Sequence, residues 1–267
     1  MVAALLTVQL ISAAVLLGLP DRHSAAPLIV GDDRTVVLDN LGGRSGEELL
    51  ARVAAQIGSA VEAVEAFWGT DWTHRIQVTA TGTERQFVEL AGDDTADVAQ
   101  WSDVAAVAVA ERVDPERRTA EGQRIVLAPG AAAMTTPALR IVLTHELFHY
   151  AARTDTALDA PRWLTEGVAD FVARPAPDRF GALAGPVALP SDADLDAPGP
   201  RRVQAYDRAW QFALFVAHRY GTAKLRELYL SACGPAHVAP AVAVPLVLGV
   251  DLPRLLAAWG AWLASLQ

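Results

Sequence analysis

The segment TPALRIVLTHELFHYAAR (136–153) constrains the fold more than any other stretch of the chain. Its apolar residues fall on most sides of an α-helix, which predicts a buried helix rather than a surface one. Two histidines and a glutamate nevertheless lie in its second half, as His145, Glu146 and His149. Because buried polar groups without partners cost on the order of a few kcal/mol each, neighbouring elements must supply partners for these side chains.

The spacing of the two histidines suits a metal ion. An α-helix turns about 100° per residue, so residues four positions apart project from one face. The imidazoles of His145 and His149 can therefore reach a single ion, and imidazole nitrogen is a common zinc ligand. Glu146 lies one step round the helix, where its carboxylate can take a proton from a water molecule. The alternative is a pair of structural core histidines.

A third ligand is predicted on the following helix, within RWLTEGVADF. The short connection TDTALDAP folds this helix back, which brings Glu166 towards the histidines. Glu166 lies on or beside an apolar face, where a carboxylate needs a cation or a hydrogen-bonding partner. Asp170 is one turn further on and can accept the free N–H of a histidine ligand. The alternatives are an exposed helical glutamate and a surface carboxylate or salt-bridge partner.

HELFH followed by WLTEGVADF resembles the gluzincin metallopeptidases, the clan that includes thermolysin and the aminopeptidase N group. The nearest resemblance is to the peptidase MA-like domains, which are compact and often exported or membrane-attached. The close match covers about residues 141–171. A looser match, a small sheet before the metal helix and helices after it, covers residues 100–266.

The resemblance implies a zinc-dependent hydrolase of peptide bonds that binds one zinc ion per chain. The roles it implies are zinc ligation by His145, His149 and Glu166, general-base catalysis by Glu146, and support of a histidine ligand by Asp170. It also implies a tyrosine in a later helix that stabilises the oxyanion.

The segment QAYDRAW (204–210) makes Tyr206 the candidate for that tyrosine, because its setting partly matches the family pattern. The alternatives are that Tyr206 is a core residue or that His218 supplies the donor. The segment APGAAAMTT (128–136) lacks the acidic residue that holds a substrate's amino terminus in aminopeptidases. We therefore expect an endopeptidase, with the strand at 124–128 as the sheet edge to which an extended substrate adds.

Two other interpretations of the sequence remain open. The chain could be a catalytically inactive, extracytoplasmic zinc-binding interaction module, although an intact Glu146 is not needed for structure alone. It could also be a helical binding protein without a metal, in which the motif is accidental. Zinc content separates the last reading from the other two, and hydrolysis of an unfolded protein separates the first two.

The expected fold class is α+β and gluzincin-like: a small mixed sheet with helices in an N-terminal lobe, a zinc-binding helix pair at the cleft, and an all-helical C-terminal lobe. We expect one metallopeptidase domain over residues 26–267, with lobes at 26–153 and 154–267. Predicted strands lie in 27–41, 74–81, 103–111 and 123–129. Predicted helices are 45–69, 83–92, 136–153, 160–174, 203–221 and 222–233, with two more near 236–249 and 252–266.

The remaining composition bears on partners and compartment. The formal net charge of −9 and the absence of a basic stripe argue against nucleic acid as a partner. Cys233 is the only cysteine, which excludes an internal disulfide and a cysteine zinc site. Residues 1–25 begin with an apolar run (1–19) that predicts a signal peptide or a membrane anchor. We therefore expect an extracytoplasmic protein, secreted or anchored, that acts on peptides or proteins; the sequence leaves its oligomeric state open.

Overall fold

The computed structural model describes residues 23–24, 27–92, 101, 103–175 and 187–266, so the apolar run 1–19 lies outside the described residues. The strands are β1 (His23–Ser24), β2 (Leu28–Val30), β3 (Arg34–Asn40), β4 (Arg75–Ala80), β5 (Ala106–Val109), β6 (Arg112–Asp114), β7 (Thr119–Glu121) and β8 (Arg124–Leu127). The helices are α1 (Gly43–Ala54), α2 (Ile57–Trp68), α3 (Glu84–Ala91), α4 (Thr136–Ala152), α5 (Arg162–Ala173), α6 (Asp192–Leu195), α7 (Pro200–Tyr220), α8 (Thr222–Cys233), α9 (Pro240–Leu248) and α10 (Leu252–Ser265). This is the mixed α+β class that the sequence predicted.

The main sheet is small and mixed, with strand order β1-β3-β4-β8-β5 and β2 paired to β3. β3, β4 and β8 run parallel, whereas β5 runs antiparallel to β8. Among the described strands β5 is therefore the edge beside β8. The prediction that the strand at 124–128 forms the edge is wrong, because the hairpin β6–β7 turns the chain back and lets β8 insert between β4 and β5.

The predicted helix 45–69 is two helices. The backbone N–H of Gln56 donates to the carbonyl of Val53, three residues back, and this tighter turn separates α1 from α2. The first helix also begins at Gly43, before the predicted start at 45, and the Asn40 side chain accepts from the Gly42 N–H (2.9 Å) and donates to the Gly43 carbonyl (2.8 Å) there. The apolar periodicity is continuous across the break and does not reveal it.

Helix α4 is buried against α2, α5 and the β5 edge of the sheet. Its side chains Leu139, Leu143 and Leu147 are fully buried. Phe148 packs edge-to-face on Trp68 of α2, with ring centroids 5.5 Å apart. A helix enclosed in this way holds its polar side chains at fixed positions, which is what a metal site requires.

The C-terminal helices pack on α5 and on one another. Trp259 of α10 is completely buried and lies edge-to-face on Phe212 of α7, with centroids 5.4 Å apart. Among the described helices none is alone long and apolar enough to span a membrane, and α9 with α10 reaches that length only across a bend of 73°.

Arg34, at the start of β3, is completely buried and holds the connection between α2 and β4. Its guanidinium donates to the carbonyl oxygens of Thr70 (2.8 Å), Trp72 (3.0 Å) and Thr73 (3.0 Å) and pairs with Glu65 (2.8 Å). It also lies 3.5 Å from the centroid of the Trp72 ring. One side chain therefore supplies donors to the carbonyl oxygens of Trp72 and Thr73 and a second donor to that of Thr70, which also accepts from the Trp72 N–H.

Candidate metal centre

Three ligand atoms converge where α4 meets α5. His145 Nε2 lies 3.1 Å from His149 Nε2 and 3.2 Å from Glu166 Oε2, and His149 Nε2 lies 3.3 Å from the same oxygen. These residues form a group that can hold a metal ion. A tetrahedral zinc ion with bonds of 2.0–2.1 Å separates its ligand atoms by about 3.3 Å. The triangle in the structure has nearly those sides.

The hydrogen-bonding chemistry of the triangle also fits a cation. Asp170 Oδ1 lies 3.0 Å from Nδ1 of His145, so this carboxylate takes the Nδ1–H and leaves the Nε2 lone pair pointing into the triangle. Oε2 of Glu166 presents further lone pairs to the same point. Converging lone pairs repel one another unless protons or a metal ion lie between them. The donor set therefore matches a divalent metal such as zinc.

The electrostatics of the site also favour a bound cation. Burial by itself lowers the pKa of His145, but hydrogen bonds to Asp170 and Glu166 outweigh it and raise that pKa well above its usual value. Burial raises the pKa of Glu166, but the charge of His149 and hydrogen bonds from both imidazoles outweigh it and hold that pKa well below its usual value. Both shifts favour positive charge inside the triangle, which a bound metal supplies.

Glu146 lies on the sheet side of the triangle. Its Oε2 accepts a hydrogen bond of 2.7 Å from the backbone N–H of Ala108 in β5. Burial is the largest influence on its pKa, which is raised despite the nearby imidazoles of His145 and His149. A carboxylate with a raised pKa, fixed beside a metal site, is suited to accept and then release a proton.

Tyr206, near the start of α7, lies beside His145. Its ring centroid is 6.3 Å from that of His145. Burial and the negative charges of Glu166 and Glu146 raise the pKa of Tyr206, so its hydroxyl stays protonated and can donate a hydrogen bond. His218, the alternative donor, packs instead on Trp262, with ring centroids 5.7 Å apart.

Two arginines at the site were not predicted. Arg174 donates to Asp170 Oδ2 (3.1 Å) and to Asp207 Oδ1 (2.9 Å), which links the support of His145 to the helix that carries Tyr206. Arg153 donates to the carbonyl oxygen of Ala108. Each follows a site residue by four positions along a helix, so the same periodicity that found the ligands could have found them.

Close contact between α5 and α7 depends on Gly167, the residue after Glu166. A Cβ atom there would lie 2.5 Å from the carbonyl oxygen of Ala209, closer than real atoms approach. Gly167→Ala is expected to push the helices apart, weaken zinc binding through Glu166 and lower the free energy of unfolding by about 1–3 kcal/mol. Chemical denaturation and a zinc titration measure these effects.

Gly58→Ala is the matched control, because a Cβ at this α2 position would meet nothing within 4 Å. Alanine is the better helix former, so this variant is expected to be neutral or more stable by about 0.5–1 kcal/mol. Equal stability and zinc affinity for the two variants would contradict the importance of the α5–α7 contact.

No protein-family model matches the chain, and a search of curated proteins finds no match. The fold and the geometry of the site therefore carry the functional argument.

Proposed function

We propose that this chain is a zinc-dependent peptidase of the gluzincin type. The observation that carries the proposal is the convergence of His145, His149 and Glu166 on one point, with Glu146 fixed beside it. A purely structural metal site needs ligands but no adjacent base, and it closes all four positions of the metal with protein atoms. Three protein ligands leave one position for water or substrate.

Each residue of the site has a separate proposed role. His145, His149 and Glu166 would hold the zinc ion, and Asp170 accepts the Nδ1–H of His145, so that the Nε2 lone pair would be free to bind the metal. When bound, zinc polarises a carbonyl group and makes a water molecule more acidic. Glu146 takes a proton from the attacking water and passes it to the leaving amine. Tyr206 donates a hydrogen bond to the oxyanion.

The substrate side of the proposal rests on β5. This strand is the edge of the described sheet, and its residue Ala108 contacts the proposed base directly. An extended peptide adds to such an edge by backbone hydrogen bonds on either side of Ala108, whose own N–H and carbonyl oxygen are held by Glu146 and Arg153, and this suits cleavage within a chain. We therefore keep endopeptidase as the proposed activity and an extracytoplasmic location as the expected setting.

Zinc content tests the proposal first. Elemental analysis of the purified protein is expected to give about one zinc per chain, and Glu166→Ala is expected to lose zinc or bind it far more weakly, because one of three ligands is gone. Glu62→Ala, which removes an exposed glutamate of α2, is the matched control and keeps the metal.

Hydrolysis of an unfolded protein is the second measurement. Activity that a chelator removes and zinc restores supports the peptidase. A parent protein that binds no zinc after reconstitution would overturn the metal site and the proposed function together. Zinc without hydrolysis of any unfolded protein or peptide would leave the inactive zinc-binding module as the better description.

A further inference from the structure

A pocket of about 210 Å³ opens beside the metal centre. His149 and Glu166 form one wall, and Arg153, Arg162, Tyr229 and Leu158 are among the other lining residues. Sites for whole small-molecule ligands measure about 300–1,000 Å³, so this pocket has room for one side chain or one chain terminus. Because two proposed zinc ligands line it, whatever enters lies next to the reacting bond.

Arg153 is the distinctive group in this pocket. It lies four positions after His149, directly beyond the last residue of α4, and donates to the carbonyl oxygen of Ala108. Its Nε atom is enclosed and has no hydrogen-bond acceptor among the described residues. Within the described part of the chain, no carboxylate forms an ion pair with it. A partly buried guanidinium without an ion-paired carboxylate has donors left for a ligand, and the charges of Glu146 and Glu166 act on it without direct contact.

Arg162, the other cation of the pocket, is already paired. It donates to Asp196 Oδ1 over 2.7 Å, and 37% of its side chain is exposed. Its charge is therefore satisfied by the protein and screened by solvent. The contrast identifies Arg153 as the cation that remains available to a ligand.

The charge balance of the centre strengthens this distinction. Two carboxylates, Glu146 and Glu166, face the proposed metal, and a divalent ion with neutral histidine ligands balances both. With such an ion bound, Glu146 and Glu166 would no longer need the charge of Arg153, whose guanidinium would then be free to pair with a ligand. Guanidinium groups bind carboxylates through two parallel hydrogen bonds, an arrangement that neither an amide nor an apolar group can replace.

We propose that Arg153 is a specificity-determining residue that binds a carboxylate of the peptide substrate beside the scissile bond. This inference rests on the proposed peptidase function. The carboxylate belongs either to an acidic side chain or to a free C-terminus. Both present the same planar anion to the guanidinium, and peptides that differ only in this group distinguish the two sources.

The test measures peptide binding in zinc-loaded protein that carries Glu146→Gln, which prevents turnover during the titration. The probes are short peptides blocked at both ends, with glutamate or glutamine at each position in turn, and a glutamine peptide with a free C-terminus. The carboxylate-bearing probe is expected to bind about tenfold or more tightly than its neutral partner, because charged hydrogen bonds are strong. A glutamate preference identifies an acidic side chain, and an acid-over-amide preference identifies a free C-terminus.

Variants of Arg153 test whether this residue causes the preference for carboxylate-bearing probes. Arg153→Gln keeps a donor for the Ala108 carbonyl but removes the charge, so it is expected to abolish the preference, whereas Arg153→Lys retains part of it. Arg140→Gln, an exposed change on the same helix, leaves the preference intact. A carboxylate that bound only to zinc would keep its advantage in Arg153→Gln, and that result would overturn the inference.

Three further outcomes count against the role of Arg153. Equal affinity for charged and neutral probes would overturn it, as would a failure of all probes to bind. A uniform loss for every probe in Arg153→Gln would assign Arg153 a structural role only. Zinc content and peptide hydrolysis by the parent protein are measured in parallel. If the parent binds zinc and hydrolyses peptides but does not prefer carboxylate-bearing probes, only the inference about Arg153 is overturned.

Discussion

Glu146→Gln is expected to lower peptide hydrolysis by about a hundredfold to ten-thousandfold while zinc stays at about one ion per chain. Glutamine has nearly the same shape, and its side-chain oxygen can still accept the hydrogen bond from Ala108. It cannot, however, take a proton from water at neutral pH. The measurement pairs the turnover number on an unfolded protein with elemental analysis of the same sample.

The control for this variant is Glu62→Gln, which changes an exposed glutamate of α2 to the same residue. It is expected to keep both activity and metal. If Glu146→Gln retained full activity, the proton would have to pass through another group, and the assignment of Glu146 as base would fail. If it lost zinc, Glu146 would have to be reassigned as a group needed for metal binding.

The largest expected loss of stability comes from Arg34→Met. Methionine fills much of the same space but leaves Glu65 without its cation and removes the Arg34 donors from the carbonyl oxygens of Trp72 and Thr73, while that of Thr70 keeps only the Trp72 N–H. Removing one partner of a buried ion pair costs about 3–5 kcal/mol, so the free energy of unfolding should fall by that amount. Urea denaturation followed by circular dichroism measures the change.

Arg85→Met provides the comparison for Arg34. Arg85 pairs with Glu89 over the same distance of 2.8 Å, but 85% of its side chain is exposed. Exposed pairs contribute about 0–1 kcal/mol, so this variant should remain within about 1 kcal/mol of the parent. Equal losses for the two variants would show that the Arg34 contacts add nothing beyond a surface ion pair.

The geometry of the candidate metal ligands could be predicted from the sequence because it depends on short-range rules. His145 and His149 share a face by helical periodicity, and a short connection brings α5 back so that Glu166 reaches them. The contact between Asp170 and His145 follows from the same helix pair. These distances are properties of two neighbouring helices, and such local patterns are the most predictable part of a fold.

Contacts between distant parts of the chain could not be predicted from the sequence. Glu146 bonds to Ala108, 38 positions away, and nothing in the composition of β5 indicates which strand lies beside the metal helix. The strand order was mispredicted for the same reason, since β8, the expected edge, pairs with a neighbouring strand on both sides. Register and strand order depend on the whole sheet rather than on any one segment.

The hydrogen bonds at Ala108 have a further consequence for solubility. β5 reads AVAV, and an apolar edge strand with free backbone groups is a template on which other copies of a chain can polymerise. Glu146 and Arg153 occupy both the N–H and the carbonyl oxygen of its Ala108, so an incoming strand finds no complete ladder to join. Glu146 and Arg153, the proposed base and the proposed specificity residue, thus also limit pairing of the β5 edge with other copies of the chain when no substrate is bound.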